Sequence, residues 1–218
     1  MDIDGRSMLR AGPAFAAMLV VAAAVGRPFG HMPSPEAVER RFEQHRLRVL
    51  FGTWLESLAA CLLAIFATGL HARVRAASSD AAPLASLALA GGTVTAGVLL
   101  GRAAVVAAAA ERAGGEGATR ETATLAVDVG NLLVGKMAPV GLALMTGATT
   151  MATRHSQLLP PWMARSGAAL TAGLLSPVNF LFIVPSLVWV ATVGWVLQKR
   201  WIPAGVGAVV DGVDGGRR

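Results

Sequence analysis

Apolar residues along this chain gather into runs separated by short polar segments, and most of the runs exceed what a helix in a soluble core requires. The first, Ala11 to Gly26, follows Arg6 and Arg10 and is closed by Arg27 and Pro28. Leu50 to Leu70, Pro83 to Ala110 and Thr124 to Met151 come next. Each of these three is long enough to cross about 30 Å of hydrocarbon at about 1.5 Å per residue. After Pro160 and Pro161 one apolar stretch extends to Leu197, too long for a single helix, and Ser176-Pro177 divides it. The pattern predicts spans over about 11–26, 50–70, 83–110, 124–151, 161–175 and 177–201, with 202–218 as a flexible cytoplasmic tail.

A different pattern separates the first two spans. Ser34-Pro35 is a helix start, a capping hydroxyl followed by a proline at the first helical position. Val38, Phe42, His45 and Val49 then recur on one stripe, with Glu36, Glu39, Arg40, Arg41, Glu43 and Arg46 on the other faces. This predicts an amphipathic helix, read as a connector whose charges pair within it, Glu36 with Arg40 for example. The expected fold is therefore all-α, a polytopic transmembrane bundle of about six helices with an amphipathic helix between helices one and two.

Composition agrees with the pattern. Of 218 residues 54% are hydrophobic and 15% charged, with a mean hydropathy of +0.57, outside the balance of a soluble domain. The net charge of +6 comes from arginines lying between the apolar runs, not from an aromatic-interleaved patch, so nucleic acid is not an expected partner. The lipid bilayer is. The 17 Arg against 2 Lys, beside abundant Ala and Gly, point to a GC-rich bacterial source and hence to the bacterial plasma membrane. Arg73, Arg75, Arg154, Arg165, Lys199 and Arg200 fall on the side of the N-terminus in an alternating topology. Most arginines on the other side belong to the amphipathic segment, so the placement bias favours both termini in the cytoplasm. The first run also fits a signal peptide in length, but no small-residue cleavage site with a polar exit follows it, and a retained helix is expected. Trp54, Trp162 and Trp201 fall at span ends as an interfacial belt would, whereas Trp189 and Trp195 are expected to pack inside. In helix three, Gly97 and Gly101 form a G-x-x-x-G with Gly91 and Gly92 nearby, expected to serve packing within the chain.

Charges inside the spans are the best pointer to function. Glu56, Arg102, Asp128 and Lys136 lie in apolar runs, where a charge costs at least about 2.5 kcal/mol, so such groups face a bundle interior and pair. With alternating helix directions, Glu56, Arg102, Asp128 and Asn131 occupy one layer roughly 6 to 12 Å below the outer boundary, and Lys136 lies deeper. Two readings follow. In the first, Glu56, Arg102 and Asp128 form a buried ion network that fixes helix register in a structural or accessory membrane protein. In the second, the same residues with Asn131 and Lys136 line an outward-facing cavity of a transporter or ligand-binding protein for a polar small ligand.

No catalytic residue is assigned: no nucleophile elbow, H-E-x-x-H or P-loop is present. The four histidines, His31, His45, His71 and His155, fall near span ends without ligand spacing, and Cys61 is the single cysteine, so neither a metal site nor a cofactor is expected. Oligomeric state and any membrane partner stay open.

The chain resembles a family of uncharacterised bacterial six-helix integral membrane proteins, a domain of unknown function. The resemblance spans roughly residues 11 to 200 and rests on the order of the spans, on Gly101-Arg102-Ala103-Ala104-Val105-Val106, on Leu158-Leu159-Pro160-Pro161-Trp162-Met163-Ala164, and on Trp189 to Lys199. It implies a six-helix membrane fold and no reaction.

Overall fold

Prolines decide where the helices of this protein bend. The computed structural model describes residues 5–26, 34–113, 120–156 and 158–199. Among these every regular element is helical, in six consecutive helices. Helix α1, Gly5–Gly26, is broken at Arg10 into Gly5–Leu9 and Ala11–Gly26. Pro13 has no N–H to offer the Leu9 carbonyl, which accounts for the break. Helix α2, Pro35–Ala77, covers 43 residues as two helical stretches joined at a kink. Its start is the expected one, with the Ser34 hydroxyl accepting from the Ala37 N–H at 3.3 Å. Helix α3, Ala82–Arg112, follows a short 3-10 turn at Ser79–Ala81. Helix α4 runs through Arg120–Leu132, a π-helical turn at Leu133–Met137, and Ala138–Ser156. Helices α5, Pro161–Leu174, and α6, Phe180–Lys199, complete the set.

Five of the six are long and apolar enough to cross a membrane, and the chain is accordingly a multi-pass membrane protein by helix length and composition. The exception is α5. Its 14 residues extend only about 21 Å, short of the hydrocarbon thickness. The expected amphipathic helix is the stretch of α2 before His45, and it joins the second span through a kink and not through a loop. The main chain leaves helical geometry at His45 (φ −133°, ψ 25°), which bends the helix there. Val38, Phe42 and Val49 are buried as the stripe predicts, whereas His45 is exposed. The expected Glu36–Arg40 ion pair is also absent: Arg40 Nε donates to the Glu36 main-chain carbonyl, and the Glu36 carboxylate reaches Arg120 at 3.2 Å.

Each helix packs on its sequence neighbours, and α6 returns to α1, closing a ring. Close approach needs small residues, because helices in lipid gain from packing and not from excluding water. At the α3–α4 crossing these are Gly91 and Gly141: a Cβ on Gly91 would lie 2.6 Å from the Gly141 carbonyl oxygen, and one on Gly141 would lie 2.8 Å from that of Gly91. The G-x-x-x-G pair is not the contact, for Gly97 has nothing within 4 Å. Gly194 on α6 packs against the Leu9 carbonyl freed by Pro13, so the described ends of α1 and α6 share one end of the bundle, called proximal below. Helices α2, α3 and α4 are far longer than the membrane is thick. Their distal turns carry a second apolar cluster, centred on Val38, Phe42, Val106 and Val127, apart from the main core around Phe15, Phe66, Met145 and Trp189.

Trp54 and Trp162 are exposed and Trp189 is buried, as expected. Trp195 is not a packing residue: it is 54% exposed, with the Lys199 ammonium 3.9 Å from its ring centroid. Trp201, His31, Arg27 and the segment 202–218 lie outside the described residues, as does the polar exit at which a cleaved first segment would end.

Candidate functional site

Arg102 reaches Glu56 because of a glycine on a third helix. The Arg102 stem crosses α4 at Gly130, where a Cβ would meet Arg102 Cγ at 3.2 Å and Val106 Cγ2 at 3.1 Å. From there the guanidinium turns to α2 and donates through Nη1 to Glu56 Oε2. Glu56 is 5% exposed and the Arg102 side chain 16%, so the pair sits inside the bundle with each charge answered by the other.

Of the other residues predicted for this layer, Asp128 and Lys136 stand outside it. Asp128 is half-buried and makes no ion pair among the described residues. Its depth matches that of Arg102, but it lies two residues, about 200° of helical rotation, from Gly130, and so points away from the arginine. The three-membered network is therefore a two-membered pair. Lys136 is exposed on the π turn of α4. Asn131 does come to the centre. Its Nδ2 is buried and has no hydrogen-bond partner among the described residues.

Beside the pair is a cavity of about 710 Å³ bounded by α1, α2, α3, α4 and α6, with Glu56, Arg102 and Asn131 all in its wall. The remaining wall is mainly aliphatic, including Leu19, Leu99, Val134 and Leu187. Two lining residues, Val20 on α1 and Val184 on α6, are 59% and 67% exposed, which puts the cavity's mouth between those helices on the lipid-facing side. The cavity exists because α5 and α6 stop short. Their connecting turn docks where Asn179 Nδ2 donates to the Gly135 carbonyl at 3.1 Å. Gly135 is five residues, about 7.5 Å, to the proximal side of Gly130, so the hairpin ends below the Arg102 level and leaves the space above it uncovered.

The Asn179 contact was invisible in the span pattern, yet its cause is written in the sequence. Pro139 lacks the N–H that would pair with the carbonyl four residues earlier, and that carbonyl belongs to Gly135. The π turn directly before Pro139, in which the Ala138 N–H donates to Leu133, is the main chain's adjustment to the same proline. An orphaned carbonyl at membrane depth must be satisfied by a neighbour, and the α5–α6 turn supplies the amide.

A search of protein-family models, of characterised proteins and of solved structures finds no match to this chain. Chemical reading of the site therefore rests on its own residues. An aliphatic chamber with one neutralised ion pair in its wall, open toward lipid, suits an amphipathic occupant. The polar ligand expected from the sequence fits these walls poorly.

Proposed function

We propose that this is a multi-pass protein of the bacterial plasma membrane, both termini cytoplasmic, that binds or moves a small amphipathic molecule entering from the lipid phase. One observation carries the reading: a cavity of about 710 Å³ with mainly aliphatic walls, holding Glu56, Arg102 and Asn131 at one level, has a mouth flanked by Val20 and Val184. Native mass spectrometry of the protein released from mild detergent tests this. Wild type is expected to carry a bound lipid-class molecule that Leu187→Trp, which fills the chamber, expels. Identical bound mass in both proteins would remove the cavity from the function.

The Glu56–Arg102 pair supports a second reading, in which these groups serve only to hold α2 and α3 in register. Under that reading Leu187→Trp leaves any function in membranes unchanged while Arg102→Met destabilises the bundle.

A further inference from the structure

The distal segment of α2 sorts its charges by face. Glu36 and Glu39 turn toward α4, where Arg120 binds both, its Nε lying 2.8 Å from Glu39 Oε2 and its Nη1 3.2 Å from Glu36 Oε1. Glu43 falls on the same stripe and acts electrostatically on the same guanidinium. The bases take the opposite side. Arg40, Arg41, His45 and Arg48, with Gln44, line a second cavity of about 420 Å³ that no carboxylate of the described residues lines. Arg40 gives its Nε to the Glu36 carbonyl, and neither Arg40 nor Arg48 has a carboxylate within ion-pair distance among the described residues.

This basic cavity and the aliphatic one are neighbours. Val49 lines both, and Arg41 Nη2 donates to the carbonyl of Gly26, which is itself a wall residue of the aliphatic cavity. The acids have been drawn off to Arg120, so the cluster presents net positive charge at the distal end of a chamber that opens to lipid. Guanidinium groups at this position are suited to phosphate, which they bind through paired N–H donors.

We infer that Arg40, His45 and Arg48 form the headgroup site for a phosphate-bearing amphiphile whose hydrocarbon chain occupies the cavity beside Glu56–Arg102. The inference rests on the proposed cavity function and names its ligand class. The attraction comes from charge complementarity at one end and apolar fit at the other, so both halves of the molecule are needed.

The test uses the full chain in neutral detergent and three probes: a short-chain phosphatidylglycerol, diacylglycerol with the same chains, and inorganic phosphate. Arg40→Gln/Arg48→Gln alters only exposed residues, which leaves the buried packing intact. It is expected to weaken phosphatidylglycerol binding by about tenfold or more, the loss that follows removal of charge-assisted hydrogen bonds, with diacylglycerol unaffected. Added salt should weaken wild-type binding in the same direction. Equal phosphatidylglycerol affinity in wild type and the double variant overturns the headgroup site. Inorganic phosphate binding as tightly as phosphatidylglycerol also overturns the inference, because the site would then be one for a free anion. Leu187→Trp separates the two proposals: if it weakens neither lipid while the double glutamine variant still loses phosphatidylglycerol, the cavity reading fails and the chain is bound elsewhere.

Discussion

Arg102 on α3 donates to Glu56 on α2 inside the bundle, and the passage it uses is the absent side chain of Gly130 on α4. Three helices thus meet at a single ion pair. Arg102→Met strands the Glu56 carboxylate and is expected to cost about 3–5 kcal/mol, whereas Glu56→Gln/Arg102→Met removes both charges and recovers most of that loss. Thermal melts of the purified protein in one detergent compare them. A double variant as unstable as the single one would mean that the pair does not compensate.

Asp128 shares the depth of the pair without sharing its contact. Asp128→Asn should therefore change stability by no more than about 0.5 kcal/mol in the same melts. A loss as large as that of Arg102→Met would restore Asp128 to the network.

The amide of Asn179 and the ring of Pro139 are coupled through the Gly135 carbonyl. Asn179→Ala orphans that carbonyl and is expected to cost about 1–3 kcal/mol. In a Pro139→Ala background residue 139 has its own N–H to offer, and the α5–α6 turn is no longer needed as a donor. The double-mutant cycle should then show Asn179→Ala costing clearly less than in wild type; equal costs in the two backgrounds would disprove the coupling.

Gly91 and Gly97 lie two turns apart on α3 and predict opposite responses. A Cβ at Gly91 meets main chain of α4, which cannot move aside, so Gly91→Ala is expected to cost about 1–3 kcal/mol. Gly97→Ala meets nothing within 4 Å and should stabilise by up to about 1 kcal/mol through helix propensity. Reversed signs in the melts would put the crossing elsewhere.

At the distal end the main-chain N–H of Glu36 itself, and secondarily the Ser34 hydroxyl, hold the Glu36 carboxyl below its ordinary value. A folded value below the unfolded one means that the contribution is present above the unfolded value, about 4.3 for glutamate, and is lost as pH falls through the folded one. Carbon-13 NMR should give Glu36 a midpoint below that of a free glutamate, moving upward in Ser34→Ala. A midpoint above the free value would contradict the capping arrangement.

Much of this was legible in the chain itself. The apolar runs of α2, α3 and α4 could be read because each had to satisfy its own backbone in lipid, and that demand leaves a continuous hydrophobic pattern. The start of α2 at Ser34-Pro35 was equally plain, since capping is local. The join between the amphipathic helix and the second span was not, because hydropathy marks two helices without saying whether a kink or a loop connects them. Asn131 was marked by its polarity at depth. The basic face of Arg40 and Arg48 escaped notice because the acids three and four residues away seemed to neutralise it, and only the position of Arg120 on another helix shows where those acids turn.

Sequence alone determined the class of fold, the number of helices, the depth of each buried charge and the proline that orphans the Gly135 carbonyl, because these depend on helical rise and on local chemistry. Tertiary structure decided which charges meet. Depth follows from counting residues along a helix, but contact depends on how each helix is rotated about its axis, and that rotation is set by packing such as Gly91 on Gly141 and Arg102 across Gly130. It also decided that α5 and α6 end early, which opened the cavity, because the height of that hairpin is fixed by its docking on α4 and not by its own hydropathy.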